Sequence, residues 1–163
     1  MSQGVAPNVS VIVTTKNEDR NIGACLESVI EQTMPPIEMI VVDNFSEDQT
    51  IKIAKQFGAK VYQLGPERSA QRNYGVEQAK GKYILYLDAD MRLSTKVIEN
   101  CVKRCKEDTK ITGVYIPEII IGTGFWIKVR RFERSFYDGT VIDAVRFVPK
   151  DSFQKVAGFD LRF

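Results

Sequence analysis

The stretch YILYLDADMR, Tyr83 to Arg92, concentrates the chain's most distinctive chemistry. An apolar run that reads as a core strand ends in Asp88 and Asp90, separated only by Ala89. Residues i and i+2 of an extended segment point the same way, so both carboxylates are expected to face one place. Two such charges repel unless something positive lies between them. A hard divalent cation, Mg²⁺ or Mn²⁺, takes oxygen ligands and is typically held by one or two carboxylates together with substrate phosphates. Ala89 keeps the backbone close to such a substrate. The plainer alternative is a solvated acidic turn.

Other polar residues gather at equivalent places. The first apolar run, VSVIV, leads into TTKNED, and the second, EMIVVD, leads into DNFSEDQT. In an open parallel sheet ligands bind at the carboxyl ends of the strands. Taken singly, Asp43 is a strand-end carboxylate in water, and Ser46 or Asp48 an N-capping residue. Their coincidence with Asp88 and Asp90 at one edge favours a site.

The elements that must position these residues alternate. VSVIV, EMIVVD, AKVYQL and KYILYL read as strands, the first of them β-branched and continuous as for a strand covered on both faces. NIGACLESVIEQT places Ile22, Cys25, Leu26, Val29 and Ile30 at helical spacing. DQTIKIAKQFG is a second helix closed by Gly58, SAQRNYGVEQAKG a third, and STKVIENCVKRCKED a fourth with Ser94 as N-cap. Repeated strand–helix–strand units imply an α/β fold, a mostly parallel sheet with helices on both faces. After Lys110 the rhythm changes: ITGVYIPEIII reads as strand, FWIKVRRFERSFYDG as a helix, and DAVRFVPKDSFQKVAGFD as strand, short helix and loop. No linker or internal repeat divides the chain, so 1–163 is expected to be one domain.

Composition narrows the function. The chain has 163 residues, 44% hydrophobic and 27% charged, with a net charge of +2. That balance is ordinary for a globular domain and carries no field that calls for nucleic acid. Three cysteines without a Cys-x-x-Cys pair, and no histidine, argue against a disulfide framework and a structural zinc site. Buried thiols in a reducing compartment, a start without signal-peptide layout and no membrane-length apolar run together predict a cytoplasmic protein. GTGFWI contains Gly-x-Gly, but the third glycine position is Ile127 and the pair follows a late strand, against a dinucleotide dehydrogenase. TTKNED lacks the Gly-rich, arginine-bearing character of a nucleotidyltransferase loop.

VSVIVTTKNEDRNIGACLESVIEQ, EMIVVDNFSEDQT, ERSAQRNYGVEQAKGKYILYLDAD and the late VAGFD together resemble glycosyltransferase family 2, inverting enzymes with a GT-A (Rossmann-like) fold. The resemblance runs from about Val9 to the C-terminus. It implies a nucleotide-diphosphate sugar donor and a divalent metal, Mg²⁺ or Mn²⁺, held by the Asp-x-Asp motif. Asp88 would lie near the ribose and sugar, and Asp90 would ligate the metal that bridges the diphosphate. Thr14, Thr15, Lys16, Asn17 and Glu18 match the loop around base and ribose. Where the family often has an aromatic residue this chain has Lys16, which could hydrogen-bond the base in place of stacking. Asp43 matches the acid that contacts the base, with Ser46 in the same turn. Arg72 and Asn73 match a helix start that closes over the nucleotide, and Arg72 can offset phosphate charge or pair with Asp43.

The family's general base normally follows the Gly-Phe-Asp turn, and here AGFDLRF ends the chain at Phe163. The expectation is a donor-binding part with the rest of the catalytic domain missing and the base beyond Phe163; Asp160 is a weak stand-in. The acceptor is a saccharide or a lipid-linked group, with a polyprenyl phosphate, already ionised, as the alternative that needs no base. Arg130, Arg131 and Arg134, around the apolar stripe of FWIKVRRFERSFYDG, suit an anionic acceptor or a peripheral membrane contact, or else snorkel beside a core helix. Arg146 is a further phosphate candidate. A donor-binding but catalytically silent module is the rival from another class, and an exposed sheet edge would invite a homodimer.

Overall fold

Continuous β-branched runs build the centre of the sheet. In the computed structural model, residues 8–120, 123–125, 128–129, 132 and 145–161 are described. In chain order the elements are β1 (Val9–Thr15), α1 (Ile22–Ile30), β2 (Glu38–Asp43), α2 (Thr50–Gln56), β3 (Lys60–Gln63), α3 (Arg68–Gln78), β4 (Tyr83–Asp88), α4 (Val97–Glu107), β5 (Val114–Tyr115), β6 (Val145–Pro149) and α5 (Lys150–Lys155). The strands form one six-stranded sheet in the order β3-β2-β1-β4-β6-β5. The first four pair in parallel, whereas β6 runs antiparallel to both β4 and β5.

Both faces of the sheet are covered. Val11, Val13, Leu85 and Leu87 pack with α1 and α4 residues such as Leu26 and Ile98. Ile12, Ile40, Ile84 and Tyr86 pack on the other face with Val76 and Ala79 of the α3 side. Each fully buried Leu or Ile contributes about 1.5–3 kcal/mol, which fixes the register that places the strand ends. Thr15 pairs with Asp43 and Thr14 with Asp88, so three strands end in one line.

Two expectations change. Ser94 does not cap α4; its N-cap residue is Lys96, with no side-chain cap of its own. The cap comes from another element, since Gln32 Oε1 accepts the Ile98 N–H at 3.1 Å while its Nε2 donates to Ser28 and Ser94 carbonyls. The long strand read in ITGVYIPEIII shrinks to Val114–Tyr115, because the pairing with β6 is irregular there and Pro117 offers no N–H for a ladder. Gly58 closes α2 as expected, with φ +77°. Cys25, Cys101 and Cys105 are buried free thiols.

At the amino end of the sheet, Glu38 ties four segments. It accepts from Ser10 Oγ at 2.7 Å, the Lys80 N–H at 2.6 Å and Lys60 Nζ at 2.6 Å. Burial works against its ionisation, but the bonds from Lys60, Lys80 and Ser10 outweigh it and hold the carboxyl below its usual 4.5. A carboxyl lowered in the folded state stabilises the fold above its unfolded value, and that stability is lost as pH falls through the folded value. Glu38→Gln should therefore lower Tm at neutral pH and flatten its fall between pH ~5 and ~3, measured by thermal melts across that range. An unchanged acid limb would remove Glu38 from this role.

Candidate functional site

The site is built around Asp88, the last residue of β4. Its side chain is 17% exposed. Oδ1 accepts from Thr14 Oγ1 at 3.2 Å and Arg72 Nη2 at 3.1 Å, with Arg68 Nη1 at 3.8 Å. Oδ2 faces Nη1 and Nη2 of Arg146, both at 3.5 Å. Because β6 is antiparallel, its first residues reach the edge where the parallel strands finish, and this brings Arg146 to the site. Arg146 Nε also donates to Glu118 Oε1 at 2.5 Å.

Asp90 differs from Asp88 in every respect. The strand stops at Asp88 and a turn follows, closed by the Met91 N–H on the Asp88 carbonyl at 3.0 Å. The i, i+2 argument for an extended segment therefore does not apply to this pair. Asp90 is exposed, yet it borders the same cleft as Asp88. Under the turn, the Cys25 thiol is pushed up to about 12 by burial, then by the charges of Asp90 and Asp88. It stays protonated and is no nucleophile.

The loops after β1 and β2 are knotted together. Asp43 is fully buried, and its oxygens accept the Ser46 N–H at 2.8 Å and Ser46 Oγ at 2.5 Å. Ser46 Oγ in turn accepts the Asn17 N–H at 2.7 Å, and Asn17 Oδ1 accepts the Glu47 N–H at 3.0 Å. The Glu18 and Asp19 N–H groups donate to Thr50 Oγ1 and Asp48 Oδ2 at 2.8 and 3.2 Å. Asp43, Ser46 and Asn17 thus spend their polar atoms within the two loops, and none of the three is among the residues that border the cleft.

Arg72 pairs with Asp88, not with Asp43. Its guanidinium also lies 5.5 Å from the centre of the Phe159 ring. Asn73 turns away from the cleft: its Nδ2 donates to the Phe159 carbonyl and its Oδ1 accepts the Phe159 N–H, both at 2.9 Å. The expected nucleotide-closing asparagine is instead the clamp of the Gly158–Phe159 turn. Asp160 is exposed on that turn and borders neither of the two cavities described next.

A cleft of about 420 Å³ runs along the edge, bordered by Thr14, Thr15, Lys16, Glu18, Asn44 and Pro66 at one end and by Asp88, Ala89, Asp90, Glu118 and Arg146 at the other. Thr15 Oγ1 is buried with no hydrogen-bond partner among the described residues. A second cavity of about 690 Å³ shares Asp90, Met91, Glu118 and Arg146 with the first. Its other walls are mostly aliphatic, among them Leu87, Leu93, Ile116, Ile119 and Ile120. Arg130, Arg131 and Arg134 lie outside the described residues. Among the described residues no helix is long and apolar enough to cross a membrane.

Sequence reasoning missed Glu118 and Arg68. Glu118 had a signal, a lone acid inside IPEIII, but nothing local tied it to Arg146, 28 residues later. Arg68 is at the first position of α3, one turn before Arg72. The knot yields a prediction: Asp43→Ala strands the Ser46 N–H and should cost about 1–3 kcal/mol, read from denaturant unfolding. Unchanged stability would mean that the loops hold without it.

YibD of Escherichia coli, an uncharacterized glycosyltransferase, is 31% identical over 106 residues, covering 61% of this chain and 31% of the relative. The glycosyltransferase AglE of Haloferax volcanii is 42% identical over 93 residues, covering 52% and 31%. The chain spans about a third of the length of these curated relatives. The mannosyltransferase PcManGT of Pyrobaculum calidifontis, solved with GDP-Man and Mn²⁺, superposes with a TM-score of 0.74 at 20% identity, over 94% of this chain and 48% of that one. The fold is therefore that of the GT-A glycosyltransferases, a mostly parallel sheet with helices on both faces. The profile of Glycosyl transferase family 2 matches residues 10–155, and the chain belongs to that family.

Proposed function

We propose that these residues bind the nucleotide-diphosphate sugar donor of a metal-dependent, inverting glycosyltransferase. The observation that carries the reading is the polar cleft along the strand ends, with a caged Asp88 and an open Asp90 at one end. From β2 to β6 the edge crosses three strand spacings, roughly 14 Å, long enough for a nucleoside diphosphate laid along it. Arg68 and Arg146 stand where the phosphates would lie, and the orphaned Thr15 Oγ1 offers a donor or acceptor to the nucleoside.

The residues fit a divalent cation in one particular way. Asp88 has both oxygens committed to Thr14 and arginines, whereas Asp90 is exposed. Among the described residues no group of three or more His, Cys, Asp or Glu side chains converges. Asp90 would therefore hold Mg²⁺ or Mn²⁺ jointly with donor phosphate oxygens, the mode expected of Mg²⁺. The cation would supply charge neutralisation on the departing diphosphate. Arg146 and Arg68 would orient that diphosphate, and Asp88 would keep the arginines in place. An acceptor oxygen then bonds to the anomeric carbon from the opposite face as the bond to the diphosphate breaks, its electron pair leaving with the diphosphate.

The adjoining cavity favours one acceptor class. Among the described residues its apolar wall is aliphatic, formed by Leu87, Leu93, Ile116, Ile119 and Ile120, and none that borders it is aromatic. Ile119 on its border is 84% exposed, and Phe125 and Phe132 further along are exposed too. A lipid-linked acceptor suits these surfaces better than a saccharide, and a polyprenyl phosphate, already ionised, would have no proton to lose. In the PcManGT structure GDP-Man and Mn²⁺ are bound, which supports donor and metal class only by shared fold.

Calorimetry with UDP and GDP tests the donor reading. Affinity for one of them should fall on chelation of Mn²⁺ and in Asp90→Asn, and Mn²⁺ without nucleotide should bind far more weakly. Equal nucleotide affinity in all conditions would overturn metal dependence, and no binding would overturn the donor reading. Transfer to farnesyl phosphate separates an enzyme from a silent donor-binding module, which would bind donor and transfer nothing.

A further inference from the structure

Phe45 occupies a backbone conformation that its own side chain makes costly. Its φ is +50°, in the left-handed region where Cβ crowds the carbonyl oxygen. Among the described residues Asn17 and Ala157 are the other non-glycine cases, and each has an ordinary reason. Asparagine tolerates this region, and Ala157 follows the last turn of α5, where left-handed residues end helices. Phe45 has neither reason. Nor does it repay the strain by packing, because it is 59% exposed and belongs to neither core cluster. A lone exposed phenylalanine is ordinary; an exposed one held under strain is not.

The strain is imposed from both sides. The Asn44 N–H donates to the Thr15 carbonyl at 2.9 Å. Ser46 is gripped through its N–H and Oγ by Asp43, and its Oγ accepts the Asn17 N–H. With residues 44 and 46 so fixed, residue 45 has no freedom to relax. Strained residues that the surroundings over-determine cluster at ligand sites, and this one sits between a loop residue that borders the donor cleft, Asn44, and the knot that holds Lys16 nearby.

The cleft has two chemically different ends. Arginines and carboxylates crowd the β4 and β6 end, while the β1 and β2 end offers Thr14, Thr15, Lys16, Glu18, Asn44 and Pro66 and no arginine. On the reading of the preceding section, phosphates at the first end leave the nucleobase at the second. Lys16 there has no flat face. Phe45 directly follows Asn44, a residue of that end, and is exposed on a loop fixed on both sides. We propose that Phe45 is a nucleobase-binding residue of this chain, stacking on the donor's base, with left-handed strain accepted in order to hold the ring out beside Asn44. Stacking tolerates any base, so Phe45 supplies affinity and leaves base choice to hydrogen-bonding groups such as Lys16.

The test uses Phe45→Gly, which relieves the strain, and Phe45→Trp, which keeps a ring. Binding of UDP, GDP and inorganic pyrophosphate with Mn²⁺ is measured by calorimetry, and Tm by thermal melt. Phe45→Gly should keep or raise Tm, weaken the better nucleoside diphosphate roughly tenfold, and leave pyrophosphate affinity unchanged. Phe45→Trp should restore nucleotide binding. Full nucleotide affinity in Phe45→Gly overturns the inference alone, and so does a matching loss for pyrophosphate, which would mark a collapsed loop. Unmodified protein that binds neither nucleotide overturns it together with the donor reading.

Discussion

One carboxylate, Asp88, stands where a desolvated strand meets a cleft lined by charges of both signs, and its compensation dictates much of what surrounds it. A buried charge is tolerated only when paired and hydrogen-bonded. Here the partners come from separate parts of the fold: Thr14 from β1, Arg72 from α3 and Arg146 from β6. Each of these elements must dock correctly for Asp88 to be satisfied. Conversely, the arginines are held apart and aimed by the carboxylate between them. Donors fixed before a ligand arrives need no reorganisation when charge appears, and that is the state in which Arg146 and Arg72 are kept.

The antiparallel β6 is what makes this possible. A further parallel strand would bring its carboxyl end to the site, and the start of such a strand would lie at the far edge. Reversing the strand sets its first residues, Val145 and Arg146, beside the end of β4. Glu118, from the irregular segment after β5, then completes the fork of Arg146. Glu118 and Arg146 border both the polar cleft and the adjoining cavity.

Much of this was legible in the sequence because it is periodic. VSVIV and YILYL are apolar at every position but Ser10, as a strand covered on both faces requires, and the parallel order follows from their alternation with helices. Asp88, Asp90 and the loops after β1 and β2 were found at the correct edge for the same reason. What was not legible depends on contacts between distant segments. Gln32 supplants Ser94 at the start of α4 because it reaches across from the end of α1. Asn73 clamps Phe159 over 86 residues of separation, and no local pattern distinguishes that from a ligand contact. The turn at Asp90 defeated the extended-strand argument because a turn is set by one hydrogen bond after Asp88 and not by any periodicity.

The two ends of the cleft are secured by different forces, and the difference bears on how a ligand enters. At the β1 and β2 end, backbone N–H groups of Asn17, Glu18, Asp19 and Glu47 are bonded to side chains of the opposite loop. Those bonds satisfy main-chain groups, and breaking one strands a donor at a cost of about 1–3 kcal/mol. At the β4 and β6 end the structure rests on ion pairs among Asp88, Glu118 and arginines. An arginine can trade a carboxylate for a phosphate while keeping the same kind of bond. The β1 and β2 end is therefore secured through main-chain groups and the β4 and β6 end through ion pairs, which an anion can share without unmaking the loops that frame the cleft.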